Sequence, residues 1–172
     1  ALAGTLLDPY FLHVYESPFN FEQSTMQAFY YFISVTINGI AVDSDDWVGA
    51  FNGDVCVGGR MWNTSLCNNG ICEVPVFGYD DETTEGYMTS GDIPTFKIYD
   101  TSANAYYDAT PSNDINPWFN FGFQLINSLE VEVLIPGCTE ATACNYNAVA
   151  TEDDGTCTYI EENYDCNGNC TT

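Results

Sequence analysis

Trp47-Val-Gly-Ala-Phe-Asn-Gly-Asp-Val-Cys-Val-Gly-Gly-Arg-Met-Trp62 encodes a complete β-hairpin. Asn52-Gly53 is the strongest local hairpin signal, since a type I′ turn requires positive φ at both central positions. The second arm alternates between two faces, which we predict to be a core face and an outer face. The core face has Val55, Val57 and Met61, and the outer face has Cys56, Arg60 and Trp62. Gly58 and Gly59 are expected at a bulge or at a close contact between sheets.

Alternating apolar residues predict further strands on both sides of this hairpin. The clearest is 26–37, where Asn38-Gly39 then turns the chain into a short strand at 40–42. Strands are also expected at 10–15, 72–77, 94–100, 105–109 and 121–135. Asn127 interrupts the apolar face of the last strand, so we expect a bulge or a change of sheet near it.

These strands predict an all-β fold, since no segment favours a helix. We expect an antiparallel β-sandwich of jelly-roll or immunoglobulin-like type, with a small disulfide-rich C-terminal appendage. The predicted core contains Phe29, Tyr31, Ile33, Val35, Phe96, Ile98, Leu125, Val131 and Val133.

Acidic residues dominate the charge of the chain. There are 25 Asp and Glu residues against 2 Lys and Arg, which gives a formal net charge of −23. Such a charge repels phosphate backbones and anionic lipids, so nucleic acid and membrane surfaces are disfavoured as partners. No run approaches the roughly 18 apolar residues of a membrane helix, so we expect no membrane span.

Eight cysteines in a turn-rich, acidic chain predict disulfides, and therefore an extracellular or cell-surface location. The composition changes at Pro136-Gly137, which divides the chain into a β-sandwich domain with an N-terminal apolar arm (1–136) and a Cys-rich module (137–172). The first part holds Cys56, Cys67 and Cys72, and the second holds Cys138, Cys144, Cys157, Cys166 and Cys170.

Both parts contain an odd number of cysteines, which leaves two alternatives. Complete pairing within the chain requires at least one bridge between the parts, whereas otherwise two cysteines are free or intermolecular. Cys67 with Cys72 and Cys166 with Cys170 are plausible local pairs, but the sequence does not fix the connectivity.

The segment Gly137-Cys-Thr-Glu-Ala-Thr-Ala-Cys-Asn-Tyr-Asn-Ala-Val-Ala-Thr-Glu-Asp-Asp-Gly-Thr-Cys157 resembles the GCT…ACNYN…DDG[ST]C repeat of secreted and cell-surface bacterial proteins. Tyr164-Asp-Cys-Asn-Gly-Asn-Cys170 is similar to the YDCDGNC tag that follows such repeats, with Asn167 in place of Asp. More loosely, 46–58 and 91–100 look like the β-sandwich modules that accompany them. The resemblance implies an exported surface or matrix protein and implies no activity.

Two acidic clusters are candidate calcium sites, because calcium takes about six to eight oxygen ligands from loops of this kind. The first cluster has Asp43, Asp45 and Asp46, and the second has Glu152, Asp153 and Asp154. Neither matches the EF-hand pattern, and solvated loops that supply charge are the alternative. No cofactor is required, and calcium is the one candidate. Asn63-Thr-Ser is a candidate glycosylation site.

Catalysis is not expected from this sequence. His13 is the single histidine, and it lies in an apolar segment where a structural role is favoured. The chain has no His/Cys cluster for zinc and no Gly-rich phosphate loop. We therefore predict that the protein is not an enzyme.

Two function classes then compete. The first is a structural subunit of an extracellular filament, sheath or matrix fibre, whose partners are copies of itself. Its assembly segment is the N-terminal arm, with Leu2, Leu6, Leu7, Tyr10, Leu12 and Val14, either donated to a neighbour or folded onto its own domain. The second is an adhesion module that binds calcium or glycans. Its stacking platforms are Trp47, Trp62, Trp118, Tyr106 and Tyr107.

Overall fold

A computed structural model describes residues 17–160, 162 and 164–169, and their regular structure is almost entirely β. The strands are β1 (Gln27–Ile37), β2 (Ile40–Ala41), β3 (Trp47–Asn52), β4 (Val55–Met61), β5 (Cys72–Phe77), β6 (Thr95–Asp100), β7 (Ala105–Pro111), β8 (Phe123–Val131), β9 (Pro136–Gly137) and β10 (Glu152–Asp153). Two 3₁₀ turns, Thr64–Leu66 and Glu82–Thr84, are the helical elements of this described part. The predicted all-β fold is confirmed.

Eight strands form one curled sheet in the order β2-β1-β8-β7-β6-β3-β4, and β5 also pairs with β1. Most pairs are antiparallel, as predicted, but β1 and β8 run parallel. The Gln27 N–H donates to the Asn120 side chain, and the Ser34 hydroxyl donates to the Asn127 carbonyl, each across 93 residues. A constant offset means that both strands advance in the same direction, so the sheet is mixed. The sheet is so strongly curled that Gly58 on β4 contacts Pro75 on β5. Two parts of the same sheet therefore pack face to face, which makes the fold sandwich-like.

Aromatic rings fill the space inside the curled sheet. The Phe32 ring lies 5.1 Å from Phe96 and 6.1 Å from Trp62, and Tyr30 lies 5.7 Å from Phe96. Aromatic contacts of this kind add stability beyond the area that they bury. The core therefore lies between β1 on one side and β6 and β4 on the other.

The predicted core face of β1 was wrong over most of the strand. Ala28, Tyr30 and Phe32 are buried, whereas Phe29 and Tyr31 are half-buried and Ile33 is 48% exposed. The error has a physical cause, because β1 is apolar on both faces and alternation alone does not choose between them. Ile33 and Ser34 are both exposed, so the alternation slips there and Val35 is buried as predicted.

The predicted face of β8 was right only in its second half. Val131 is buried as predicted, together with Phe96 and Ile98 of β6, but Leu125 is 56% exposed and Val133 is half-buried. The buried positions change from even to odd between Ile126 and Leu129. The irregularity expected near Asn127 therefore explains why one alternation does not describe the whole strand.

The organising hairpin forms, but its turn differs from the prediction. Asn52 pairs with Val55, so Gly53 and Asp54 are the central residues, and of these only Gly53 has a positive φ (58°). Positive φ at the first central position alone is the pattern of a type II′ turn. The type I′ prediction was therefore wrong here, whereas Asn38 (φ 50°) and Gly39 (φ 75°) fit it.

The predicted faces of the hairpin were wrong beyond Val57, because β4 contains a β-bulge there. Ala50 pairs with Gly58 but Phe51 pairs with Cys56, which leaves Val57 as the extra residue. The bulge moves the following residues to the opposite face, so Val57 and Trp62 are both buried. Trp62 was predicted on the outer face, and it is instead part of the core.

The chain divides into two compact units. Residues 17–36 with Ile40–Val131 form the first, and residues 37–39 with the described residues from 132 onward form the second. The predicted boundary lay five residues later, at 136. The second unit has a single short parallel strand pair, β9 with β10, and its buried apolar residues are Cys138 and Ala143. So small a core needs covalent staples.

Candidate functional site

The predicted assembly residues of the arm (Leu2, Leu6, Leu7, Tyr10, Leu12 and Val14) and the expected strand 10–15 lie outside the described residues. The described chain begins with residues 17–21, which cross the outer face of the sheet. Phe19 is buried against Gly49 and Gly59, which pair across β3 and β4. A Cβ at Gly49 would lie 2.7 Å from the Phe19 ring. The ring therefore fits against these two strands because both positions lack a side chain.

The same segment is tied to β7. The Phe19 ring makes an edge contact with Tyr106 at 5.6 Å, and the Tyr106 hydroxyl donates a hydrogen bond of 2.8 Å to the Pro18 carbonyl. The start of the described chain therefore lies on the outer face of the sheet, in contact with a side chain of β7.

One edge of β7 is open along residues 105–109, which we call the β7 open edge. β6 pairs with all five of these residues, but β8 pairs only with Thr110 and Pro111. Within residues 17–160, no strand pairs with 105–109 on the side opposite β6. Tyr107 and Ala109 pair with the buried Ile98 and Phe96, yet both stay half-buried. The core is thus incompletely covered at this edge.

An exposed apolar face lies on the outside of β1 and β8. We call Ile33, Phe123 and Leu125, together with the half-buried Phe29 and Tyr31, the β1–β8 apolar face. The exposed fractions are 48% for Ile33, 77% for Phe123 and 56% for Leu125. None of these five residues is charged, in a chain that carries 25 acidic residues. Contiguous exposed apolar surface of this kind marks interaction sites.

Phe121, next to this face, has an unusual backbone. Its φ is 61°, a left-handed conformation that is rare for a bulky residue, and its side chain is 72% exposed. The Phe121 N–H donates to the Gln27 carbonyl at 2.7 Å, which holds the conformation in place. Strain of this kind costs about 1–3 kcal/mol and is concentrated at functional sites.

Both basic side chains of the protein are already paired. Arg60 forms an ion pair with Glu73, and Lys97 forms one with Asp108. The Lys97 Nζ also lies 5.5 Å from the centre of the Phe51 ring, at an open groove of about 430 Å³. The surface therefore presents uncompensated negative charge, broken by the β1–β8 apolar face.

The described residues contain three disulfides, and each closes within one unit. Cys67 bonds to Cys72, Cys138 to Cys157, and Cys144 to Cys166. The first is the local pair that spacing predicted. The predicted Cys166–Cys170 pair was wrong, because Cys166 bonds to Cys144. Disulfides of this number fit an oxidising compartment.

Cys56, which was predicted to be a disulfide cysteine, is instead a free thiol. It lies half-buried on β4, one residue before the bulge. Burial raises the pKa of its thiol, and the Sγ lies 3.5 Å from the Gly58 carbonyl. A raised pKa keeps the group protonated and unreactive.

Asp46 has a structural role in the first acidic cluster. Its buried carboxylate accepts hydrogen bonds from the N–H groups of Asp43 (2.8 Å) and Thr101 (2.9 Å), one on each oxygen. Burial raises the pKa of Asp46, the two N–H groups oppose this rise, and Asp100 and Asp45 add to it. The carboxylate thus joins the loop before β3 to the turn after β6.

The second cluster also bonds to its own loop. Asp153 accepts from the Gly155 N–H, and Asp154 accepts from the Thr156 N–H and hydroxyl. Glu152 is exposed on β10. Among the described residues, no three Asp, Glu, His or Cys side chains come together in a metal-binding arrangement. Neither predicted calcium cluster is therefore assembled as a site.

Two of the five proposed sugar-stacking aromatics were wrongly assigned. Trp62 and Trp118 are each 3% exposed, and the Trp118 indole N–H donates to the Val76 carbonyl at 3.0 Å. They are core residues, which aromatic content alone could not distinguish from platforms. Trp47 and Tyr107 are half-buried, and Tyr106 is 53% exposed but is engaged by Phe19 and Pro18.

Asp80 is a hydrogen-bonded carboxylate that the sequence did not single out. It accepts from the Thr25 N–H (2.7 Å), the Thr25 hydroxyl (2.9 Å) and the Thr84 hydroxyl (3.0 Å). The Thr25 N–H and hydroxyl, followed by Thr84 and Ser24, lower the pKa of Asp80 to about 2. Asp80 thereby holds the entry to β1 against the loop after β5.

We predict that Asp80 makes stability depend on pH in acid. Because its pKa is lower in the folded chain, its contribution is present above the ordinary Asp value of about 3.9 and is lost as the pH falls toward 2. Urea unfolding between pH 5 and pH 2 should therefore show a shallower loss of stability for Asp80→Asn than for the wild type. Asp114→Asn, which removes an exposed carboxylate elsewhere, is the control. Identical slopes for wild type and Asp80→Asn would contradict the assignment.

Asn63 begins the 3₁₀ turn Thr64–Leu66, and its side-chain oxygen accepts from the Ser65 N–H. Its glycosylation stays a prediction. No helix among the described residues is long and apolar enough to cross a membrane.

Comparisons with protein-family models, curated proteins and solved structures give no match to this chain. The resemblance of 137–157 to a secreted bacterial repeat therefore also stays a prediction.

Proposed function

We propose that this chain is a structural subunit of an extracellular assembly, such as a pilus-like filament, sheath or matrix fibre, that self-associates by strand exchange through its N-terminal arm. The β1–β8 apolar face is the observation that carries the proposal. Phe123 and Leu125 are the most exposed members of a face that is otherwise suited to a core. Covering them with another copy would remove apolar surface from water.

The charge distribution favours a second copy as the occupant of this face. A net charge of −23 makes copies repel each other over most of their surface, and the two basic side chains are already paired. The β1–β8 apolar face is uncharged, so two copies can approach there with the least repulsion. Burial of one Phe or Leu side chain contributes about 1.5–3 kcal/mol, which offsets part of the remaining repulsion.

The disulfides support the extracellular setting. Three disulfides stabilise a chain whose second unit has almost no core. Such stabilisation by disulfides is typical of small domains in oxidising compartments. The proposal requires no catalytic site and no cofactor. Calcium and glycan binding are not carried further, because neither acidic cluster assembles and two of the five candidate platforms are buried.

We predict that replacing Phe123 and Leu125 together with serine prevents assembly without unfolding the chain. Both side chains are mostly exposed, so the fold loses little, whereas an interface would lose about 3 kcal/mol, or roughly a hundredfold in affinity. Electron microscopy and analytical ultracentrifugation of both proteins over a concentration series would measure this.

Leu66→Ser is the matched control for this experiment. Leu66 is 72% exposed but lies on a 3₁₀ turn away from the β1–β8 apolar face, so assembly should be unchanged. A wild type that stays monomeric at every concentration would remove the proposed function. A double variant that assembles like the wild type would remove this face from it.

A further inference from the structure

We infer that the β7 open edge (105–109) accepts the N-terminal arm of a neighbouring copy, which adds residues 10–15 to the sheet as a new strand. This inference rests on the proposed function and names the acceptor site for the exchanged strand. It is carried by the missing strand partner, by the length of the edge and by the place where the arm joins the fold.

The edge has main-chain groups available for pairing. Ser112 directly follows β7, and its N–H donates to the Ser128 carbonyl of β8. The even-numbered residues of β7 therefore direct their N–H and C=O groups toward β8. By the alternation of an antiparallel strand, Tyr106 and Asp108 direct theirs to the same side. β8 ends at Val131 and pairs only with Thr110 and Pro111, so these groups have no strand partner among the described residues. Unpaired edges of this kind are templates for strand addition.

The length of the edge matches the arm. Residues 105–109 extend over about 16 Å at the usual rise of a strand, and the expected strand 10–15 has a similar length. Tyr10, Leu12 and Val14 alternate with Phe11, His13 and Tyr15. A strand with this pattern can place apolar side chains beside the half-buried Tyr107 and Ala109, which completes the cover of the core. None of residues 10–15 is acidic, so their approach to the acidic domain is not opposed.

The place where the arm joins the fold favours exchange between copies. The Tyr106 hydroxyl donates to the Pro18 carbonyl, and Phe19 lies on the outer face of the sheet over Gly49 and Gly59. The described chain therefore starts on the outer face of the sheet, out of the plane of the β7 open edge. A neighbour's arm can enter from one end and pair along all five residues. Such head-to-tail exchange propagates into a filament unless the rotation closes a ring.

The first test compares Asp108→Pro with Asp108→Asn in the full-length chain. Proline removes the outward N–H and is tolerated at sheet edges, whereas asparagine removes only the charge that pairs with Lys97. Asp108→Asn should assemble like the wild type. Asp108→Pro should lower the assembled fraction by about tenfold or more, because a carbonyl of the added strand would lose its main-chain donor. Near-identical melting curves for the two variants would show that the fold is retained.

The second test identifies the donor and does not depend on the proline variant. In a Cys56→Ser background, copies with Tyr10→Cys, Leu12→Cys or Val14→Cys are mixed in turn with copies with Ala109→Cys, oxidised and examined by mass spectrometry. A disulfide between the two kinds of copy is expected for at least one of these three positions, which share one face of the predicted strand. In a chain with both substitutions, a bridge formed only within single chains would overturn the inference, because the arm would then pair with its own edge.

The failures of the two proposals are distinguishable. Filaments of Asp108→Pro that match the wild type, or assembled mixtures without a disulfide between position 109 and any of positions 10, 12 and 14, would overturn the acceptor site and leave self-assembly intact. A wild-type chain that never assembles would overturn the proposed function, and the inference with it.

Discussion

Gly58→Ala is expected to unfold the first unit or to destabilise it by about 3 kcal/mol or more. A Cβ at this position would lie 1.8 Å from the Pro75 carbonyl oxygen, and no real Cβ approaches an atom so closely. The obstacle is main chain on β5, which pairs with β1 and has little freedom to move. The β4 strand would therefore separate from β5, where the sheet curls. Urea unfolding followed by circular dichroism would measure the loss.

Gly70→Ala is the matched control for Gly58→Ala. Nothing lies within 4 Å of a Cβ at Gly70, but its φ of 78° is left-handed, so alanine should cost only about 1 kcal/mol of backbone strain. Equal losses for the two variants would show that glycine flexibility, and not the contact with Pro75, sets the effect at Gly58.

Trp118→Ala is expected to destabilise the protein by about 3–5 kcal/mol, as large-to-small substitutions of buried Trp do. The ring lies against Gly78, where a Cβ would be 2.3 Å from it, and the indole N–H donates to the Val76 carbonyl. The Trp118 main chain also bonds to Gly91 and Asp92, so the side chain anchors the loop before β8 to the end of β5. Thermal unfolding would measure the effect.

Trp118→Phe separates packing from hydrogen bonding. Phenylalanine keeps most of the buried area and loses the indole N–H, so the expected loss is about 1 kcal/mol. A Trp118→Ala variant with wild-type stability would contradict the buried position and would restore Trp118 as a candidate platform for sugars.

Alternation in the sequence predicted where strands lie better than which face they bury. The strand 72–77 appears as Cys72–Phe77, and 26–37 appears as Gln27–Ile37. The face of β1 was inverted because Tyr30 and Phe32 compete with Phe29, Tyr31 and Ile33 for the core, and only the partners across the sheet decide between them. Trp62 was misplaced because the bulge at Val57 reverses the alternation after it. Gly58 and Gly59 predicted a bulge or a close contact between sheets, but not which residue is the extra one.

The candidate surfaces were predictable only in part. The β1–β8 apolar face was not predicted, because Phe29, Tyr31, Ile33 and Leu125 were expected in the core. The β7 open edge depends on where β8 stops relative to β7, which is a tertiary property. The packing of Phe19 against Gly49 and Gly59 could have been predicted from the sequence, since two glycines paired across a hairpin leave room for an aromatic ring.

The disulfide pattern also bears on how the chain can be oxidised. The bridges span 5, 19 and 22 residues, and each closes without a cysteine from the other unit. A chain that emerges N-terminus first can complete Cys67–Cys72 before Cys138 has appeared. The remaining hazard is Cys56, the first cysteine to emerge and a rival partner for Cys67. Once β4 is folded, the raised pKa of Cys56 lowers its thiolate fraction, so attack on a finished bridge becomes slow and the correct pairs persist.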